Sequence, residues 1–184
     1  SVKAAKAAGY QCDSVLIFPG DKVSLMPEAN YMAFKLVFEV PTGRLLGAQA
    51  VGKGDVNKRI DVIGAMITMH AGLEDLKELE LCYAPAYSTA KDVVNMAALV
   101  GLNILYGSYR QVQVEEVRAL VEQGAYIIDV REESEYAKGH LRNAHNIPLS
   151  RLRERMNEIP RDTTVYLHCR SSQRSYYALC ALQG

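Results

Sequence analysis

Apolar and β-branched residues in the first half of the chain occur in short runs, and each run ends at residues typical of turns. Residues 14–18 form one such run, and residues 31–40 form a longer one that stops at the turn signal Pro-Thr-Gly of residues 41–43. Residues 44–52 continue the same composition. The pattern therefore predicts a short strand followed by a two-stranded hairpin.

The remaining apolar positions of the first half recur at helical spacing. Residues 55–70 follow this spacing, residues 73–79 give a second short helix, and a third helix is capped within residues 88–92 and ends near Leu105. A small-residue cluster at residues 4–8 indicates the end of a further helix. Together these elements predict an α+β domain, in which an antiparallel sheet carries helices on one side.

A different pattern, in residues 164–175, contains the chain's strongest chemical signal. An apolar stretch ends in Cys169, a short polar loop follows, and Arg174 closes the loop. This order predicts a strand that leads through a tight loop into a helix N-terminus, where backbone N–H groups and the helix dipole point at the sulfur. Such surroundings lower a thiol pKa and bind an anion, so the pattern predicts a nucleophilic thiolate. Persulfide transfer and phosphate-ester hydrolysis both use this arrangement, and the plainer alternative is a buried structural thiol.

Composition narrows the possible functions. Of the 184 residues, 49% are hydrophobic, which is enough for packed cores. The formal net charge is zero, so the chain has no basic field that would attract nucleic acid. No apolar run reaches the ~20 residues of a membrane span, and no leader sequence is recognised. The four cysteines are widely and irregularly spaced, which indicates neither a disulfide framework nor a metal site and is typical of the cytoplasm.

The use of lysine and arginine predicts a domain boundary. Residues 1–107 carry eight Lys and two Arg, whereas residues 108–184 carry ten Arg and one Lys. The change falls just after the apolar helical pattern ends at Leu105. We therefore expect two domains, residues 1–107 and residues 108–184.

Three segments of the second half resemble the rhodanese family. The loop from Cys169 to Arg174 encloses four residues, one fewer than in cysteine phosphatases, and residues 127–136 and 139–148 match two further rhodanese segments in the right order. The resemblance implies an α/β domain with a parallel sheet, in which Cys169 carries a sulfane sulfur as a persulfide. It also implies that Arg174 and Arg170 stabilise the bound anion. The residues implied to cradle the terminal sulfur are Ser171, Ser172, Gln173 and Ser175.

The first half is similar to the C-terminal dimerisation domain of the pyridine nucleotide-disulfide oxidoreductases. Residues 35–38 and 47–52 carry part of this resemblance, and residues 83–95 (YAPAYSTAKDVVN) resemble a signature of one branch. That branch contains coenzyme A-disulfide reductases, NADH oxidases and polysulfide reductases, and some members carry a rhodanese domain fused behind the dimerisation domain. The resemblance implies a homodimer that uses FAD and NAD(P)H and acts on persulfides, polysulfides or coenzyme A disulfide. Tyr87 is implied to reach across the dimer to the redox cysteine, or to serve as an interface tyrosine.

Two features distinguish the chain from a whole enzyme of this branch. No G-x-G-x-x-G motif is present, so we expect a C-terminal piece of a longer flavoenzyme that binds neither FAD nor NAD(P)H by itself. Leu25 and Met26 stand where the branch usually has adjacent tyrosines, which bears on coenzyme A-disulfide specificity, and the rhodanese part is expected to lack its final strand. A non-enzymatic alternative is a dimerisation and interaction module without activity of its own.

The other histidine and cysteine positions near this motif receive structural interpretations. Because His168 precedes Cys169 on a strand, its side chain is predicted to point to the opposite face of the sheet. Cys180 lies on the following helix and is predicted to belong to the core. Cys12 and Cys82 are predicted to be unreactive.

Overall fold

Two units make up the structure, a computed structural model that describes residues 1–184. The units are Ser1–Arg110 and Gln111–Gly184, and the boundary predicted after residue 107 lies shortly before this division. None of the helices is both long and apolar enough to cross a membrane.

An antiparallel sheet of three strands forms the centre of the first unit. Strands β1 (Cys12–Ile17), β2 (Met32–Glu39) and β3 (Leu45–Gly52) pair in the order β1-β2-β3. Alternate side chains of a strand point to the same face, and Phe34 and Phe38 of the central strand are fully buried in this way. The predicted antiparallel sheet and hairpin are confirmed.

Four helices complete the first unit: α1 (Val2–Ala7), α2 (Val56–Thr68), α3 (Leu73–Glu78) and α4 (Val93–Leu105). One apolar core joins side chains of the sheet to side chains of α2, α3 and α4. Helix α4 contacts β1, β2 and α3, and its small residues Ala97 and Ala98 are fully buried because the neighbouring backbones approach closely there. The predicted α+β class is confirmed.

A parallel sheet forms the centre of the second unit. Its strands are β4 (Tyr126–Asp129), β5 (His145–Asn146) and β6 (Val165–His168), in the order β5-β4-β6. The register aligns Asp129 with His168, so the carboxyl ends of β4 and β6 lie side by side. Open parallel sheets bind ligands beyond this edge, and the chain leaves β6 there.

Three helices and two short 3-10 turns complete the second unit. The helices are α5 (Val114–Glu122), α6 (Glu133–Tyr136) and α7 (Gln173–Gln183), and the turns are Leu149–Arg151 and Met156–Glu158. Helix α7 contacts β6, and its Ala178 joins Ile128 of β4 in a small apolar core. The predicted α/β class with a parallel sheet is confirmed, and α7 begins directly after the cysteine loop.

Candidate functional site

The loop after β6 directs several backbone N–H groups to one sulfur atom. Ser172 has a φ of 68°, a left-handed conformation that turns the chain sharply before α7 begins. As a result, the backbone N–H groups of Ser171, Arg174 and Ser175 donate hydrogen bonds to Sγ of Cys169. The last two groups belong to the first turn of α7, where N–H groups have no acceptor within the helix.

Ser175 makes a side-chain contact with the same sulfur. Its Oγ lies 3.7 Å from Sγ of Cys169 and donates to the carbonyl of Ser172 at 2.9 Å. Burial raises the pKa of the Cys169 thiol, but the hydrogen bonds from Ser175, Ser171 and Arg174 outweigh burial, so this pKa lies below its ordinary value. The lowered pKa favours the thiolate form of Cys169. Because the residue is only half-buried, its sulfur is also accessible to a substrate.

The guanidinium of Arg174 forms an ion pair with Glu135 of α6. Nη1 and Nη2 donate to the two carboxylate oxygens at 2.6 and 2.9 Å. The side-chain hydrogen bonds from Arg174 lower the pKa of Glu135 to about 2, so both groups are charged at neutral pH. Arg174 therefore contacts the sulfur through its backbone N–H, while α6 fixes its side chain.

A second charged cluster joins the ends of β4 and β6. Asp129 is fully buried and accepts hydrogen bonds from Nε and Nη2 of Arg131, the shortest at 2.6 Å. Nε2 of His168 lies 3.4 Å from Asp129, so this ring is directed at β4. Burial lowers the pKa of His168, and the imidazole is neutral at pH 7. The cluster ties together the two strand ends on which the cysteine loop is mounted.

Comparison with protein families assigns both units. Residues 1–94 match the family described as pyridine nucleotide-disulphide oxidoreductase, dimerisation domain, and residues 113–184 match the rhodanese-like domain. The chain belongs to the pyridine nucleotide-disulphide oxidoreductases and carries a rhodanese-like domain. The first unit is accordingly called the dimerisation domain below, and the second unit the rhodanese-like domain.

Relatives with both parts are known in three dimensions. The structure of reduced Bacillus anthracis CoADR-RHD is 38% identical with a TM-score of 0.95 and is matched over 100% of this chain and 33% of that chain. An NAD-dependent persulfide reductase from A. fulgidus is 36% identical with a TM-score of 0.87, over 98% of this chain and 32% of that chain. The coenzyme A disulfide reductase of Staphylococcus epidermidis is 33% identical over 95 residues, 52% of this chain and 22% of the relative. The chain thus spans a third or less of the length of these relatives.

The cofactors that the family implies, FAD and NAD(P)H, need a turn that accepts a pyrophosphate, and the residues of this chain do not fit that need. The turns from β4 to α6 and from β6 to α7 contain no glycine. Strand β3 ends at Gly52, and its connection to α2 contains Gly54. A Cβ on Gly54 would lie 2.0 Å from Oδ2 of Asp21, so a carboxylate fills the space that a phosphate would need.

The other residues predicted to hold sulfur lie in the same loop with different exposures. Arg170, Ser172 and Gln173 are exposed, whereas Ser171 and Ser175 are half-buried. The side chain of Gln173 donates to the hydroxyl of Tyr177 at 2.9 Å, along α7. The structure thus brings together every predicted residue of the rhodanese-like domain, and their roles in sulfur binding stay predictions.

The signature segment of the dimerisation domain is shaped by buried polar groups. Asp92 caps α4 by accepting from the N–H of Val94 at 3.3 Å, and its carboxylate pairs with Arg59 of α2 at 2.9 Å. Ser88 donates to the same carboxylate at 2.7 Å. Arg59 is a site that the sequence did not predict, although its position four residues before Ile63 on the buried face of α2 was a usable signal.

Tyr87, predicted to act across a dimer, lies on the surface of this segment. Its side chain is 66% exposed, and its carbonyl accepts a hydrogen bond from Lys58 at 3.2 Å. Asn95 anchors the segment further along, because its Nδ2 donates to carbonyls at the end of α3. The buried residues therefore hold the backbone in place and leave the tyrosine accessible; its catalytic role stays a prediction.

The prediction that Cys180 belongs to the core is wrong. Cys180 is exposed, whereas Ala178 is the buried residue of α7. Two positions apart on a helix are separated by about 200°, so the two side chains point to different sides. Cys180 lines a shallow surface groove with Arg153, Met156 and Tyr177.

Proposed function

We propose that Cys169 carries a sulfane sulfur as a persulfide, within a flavin-dependent reductase of disulfides, polysulfides or persulfides. The observation that carries this proposal is the convergence of the backbone N–H groups of Ser171, Arg174 and Ser175 on one half-buried sulfur. These donors stabilise a thiolate before sulfur transfer and can stabilise the anionic terminal sulfur after it. The family membership and the names of the relatives support the same chemistry.

The transfer step needs only this thiolate and an anionic sulfur donor. With thiosulfate, the Cys169 thiolate attacks the outer sulfur atom, and a new S–S bond forms at Sγ. The S–S bond of thiosulfate breaks, and sulfite leaves with the electron pair. An acceptor thiolate then attacks the terminal sulfur of the persulfide and releases the Cys169 thiolate again. These two transfer steps need no metal and no oxidant.

In the longer protein, FAD and NAD(P)H would supply electrons for reduction of the sulfur compound, and this chain would contribute the dimer contacts and the sulfur carrier. We expect the chain to form a homodimer through its dimerisation domain, with more than ~1,200 Å² of total buried surface. We place it in the cytoplasm, where its four free cysteines stay reduced. Light scattering at micromolar concentration tests the dimer, and a monomer would contradict it. Purified chain should lack flavin absorbance.

Intact-mass measurement tests persulfide formation directly. The wild-type chain, Cys169→Ser and the matched control Cys82→Ser are incubated with thiosulfate or polysulfide, because Cys82 is an exposed thiol outside the loop. We expect wild type and Cys82→Ser to gain one sulfur atom and Cys169→Ser to gain none. Equal uptake by Cys169→Ser would overturn the proposal.

The same proteins separate sulfur transfer from two alternatives. The six-residue loop from Cys169 to Arg174 is one residue shorter than in cysteine phosphatases, so we expect no hydrolysis of an aryl phosphate. Hydrolysis that depends on Cys169 would favour the phosphatase alternative. A dimeric chain that gains no sulfur at all would favour a dimerisation and interaction module.

A further inference from the structure

The ion pair between Arg174 and Glu135 leaves part of the guanidinium available to a ligand. One N–H on each Nη is used by the carboxylate, at 2.6 and 2.9 Å. A guanidinium has more N–H donors than one carboxylate accepts, and Nε–H is among those remaining. The two side chains are 31% and 32% exposed, so an anion can reach them. Arg174 also interacts electrostatically with Cys169, which places its charge near the reacting sulfur.

The charges around the sulfur nearly cancel. Glu135 compensates Arg174, and Asp129 compensates Arg131, which also lies near Arg174 and Glu135. The carboxylate of Glu132 adds a further negative charge near Arg174. Because His168 is neutral at pH 7, the loop has the exposed Arg170 as its remaining uncompensated cation. Backbone N–H groups, which carry no net charge, therefore supply most of the attraction for an anion.

We propose that Glu135 sets the charge of the sulfur donor that the Cys169 loop accepts: by compensating Arg174, it makes the loop favour monoanionic donors over dianionic ones. The carboxylate also fixes the direction of the guanidinium, because it accepts from both Nη atoms. A dianionic donor needs a second positive charge in the loop, and Glu135 removes it. This inference rests on the proposed persulfide chemistry at Cys169 and adds a substrate preference to it.

Two donors with the same transferred atom isolate the effect of charge. Thiosulfate is a dianion, and the methanethiosulfonate anion replaces one of its charged oxygens by a methyl group. In both cases the Cys169 thiolate bonds to the outer sulfur, the donor S–S bond breaks, and the electron pair leaves with sulfite or with methanesulfinate. The ratio of the two second-order rate constants for persulfide formation therefore measures the preference for a dianion.

Glu135→Gln is the decisive variant because it keeps the shape of the side chain and removes its charge. We expect the ratio of the thiosulfate rate constant to the methanethiosulfonate rate constant to rise by about 3- to 10-fold, the effect of one unit charge several ångströms away in a half-exposed site. Glu133→Gln is the matched control, since it removes an exposed carboxylate from the same helix. We expect it to leave the ratio unchanged.

A second variant should shift the ratio of the thiosulfate and methanethiosulfonate rate constants in the opposite direction. It also keeps the inference testable if Glu135→Gln does not fold. Arg174→Gln leaves Glu135 without its cation, so the ratio should fall below that of wild type. If Glu135→Gln is folded and slows both donors equally, Glu135 has only a structural role and the inference is overturned; an unchanged ratio in Arg174→Gln overturns it as well. If wild type forms no persulfide with either donor, the proposed function itself fails, and the two failures are thereby distinguished.

Discussion

The dimerisation domain and the rhodanese-like domain use a helix N-terminus in opposite ways. At the start of α4, the side chain of Asp92 accepts from the N–H of Val94. At the start of α7, Ser172 makes no such side-chain cap, and the N–H groups of Arg174 and Ser175 point at Cys169 instead. The first arrangement satisfies the free donors with a side chain of the same helix start, and the second directs them at the sulfur of Cys169.

The two domains also differ in how the group at the helix N-terminus is buried and in whether a charge compensates it. The carboxylate of Asp92 is almost fully buried and paired with Arg59, so it has no access to a ligand. The sulfur of Cys169 is half-buried, and uncharged N–H groups surround it. The polar partners therefore separate a carboxylate that is enclosed in the dimerisation domain from a thiol that stays accessible in the rhodanese-like domain.

The largest expected effect is on the buried ion pair. Arg59→Met should lower the free energy of unfolding of the dimerisation domain by about 3–5 kcal/mol, because the buried charge of Asp92 would lose its cation. Urea unfolding followed by circular dichroism measures this loss. Persulfide formation at Cys169 should not change in conditions where the variant is folded.

Lys77→Met provides the control on the same domain. Lys77 pairs with Glu74 at 2.7 Å, but this pair is exposed and screened by solvent, so the variant should lose much less stability than Arg59→Met. If both variants lost the same amount, burial would not be what separates the Arg59–Asp92 pair from a surface ion pair.

The next largest effect is expected in the rates at which the cysteine thiols are alkylated. At about pH 6.5, below the ordinary cysteine pKa, Cys169 should react with iodoacetamide about tenfold faster than the more exposed Cys82 and Cys180. Peptide mapping after a brief exposure gives the order of labelling. Faster labelling of the exposed cysteines would mean that access, rather than the N–H groups around the sulfur, governs reactivity in this chain.

Ser175→Ala should have a smaller effect on the same reaction. The variant loses the hydroxyl but keeps the backbone N–H groups, so the pKa of Cys169 should rise towards its ordinary value without reaching it. The pH profile of alkylation should move to higher pH, with a slower rate at about pH 6.5 and the same rate at about pH 10, where the thiol is ionised in both proteins. Ser171→Ala keeps its backbone donor and should leave the profile in place.

The sequence predicted those features that are local along the chain. The strand, Cys169, the loop and the start of α7 follow one another, so spacing alone was enough to place Cys169 between a strand and a helix N-terminus. The ion pairs join distant residues: Arg174 and Glu135, beside the cysteine loop, are 39 positions apart, and Arg59 and Asp92, in the dimerisation domain, are 33 apart. Only tertiary packing brings such residues together. Glu135 lies within the motif of residues 127–136, but the sequence does not indicate that its partner is Arg174.

Cys180 shows the same limit for burial. Its place on the helix after Cys169 predicts a core position, but the buried face of α7 is set by the packing of Ala178. The side of a helix that meets the sheet depends on the rotation of the helix, and the weakly amphipathic sequence of α7 does not determine this rotation.

The smallest expected effect is the pH dependence of stability, which compares the partly exposed Glu135–Arg174 pair with the buried Arg59–Asp92 pair. The pKa of Glu135 is lowered from 4.5 to about 2 by its hydrogen bonds with Arg174. A carboxyl whose pKa is lower in the folded state stabilises the fold above its unfolded pKa, and this contribution is lost as the pH falls through the folded value. Glu135→Gln should therefore reduce the loss of stability of the rhodanese-like domain between about pH 4.5 and pH 2, and should not change the slope of stability against pH between about pH 6 and pH 8.

Urea unfolding of wild type and Glu135→Gln at several pH values measures the two slopes. Because the Glu135–Arg174 pair is partly exposed, salt should weaken the difference between the proteins, whereas the loss caused by Arg59→Met should persist in salt. Equal slopes for wild type and Glu135→Gln in the acid range would show that the carboxylate is not tied to Arg174 in solution.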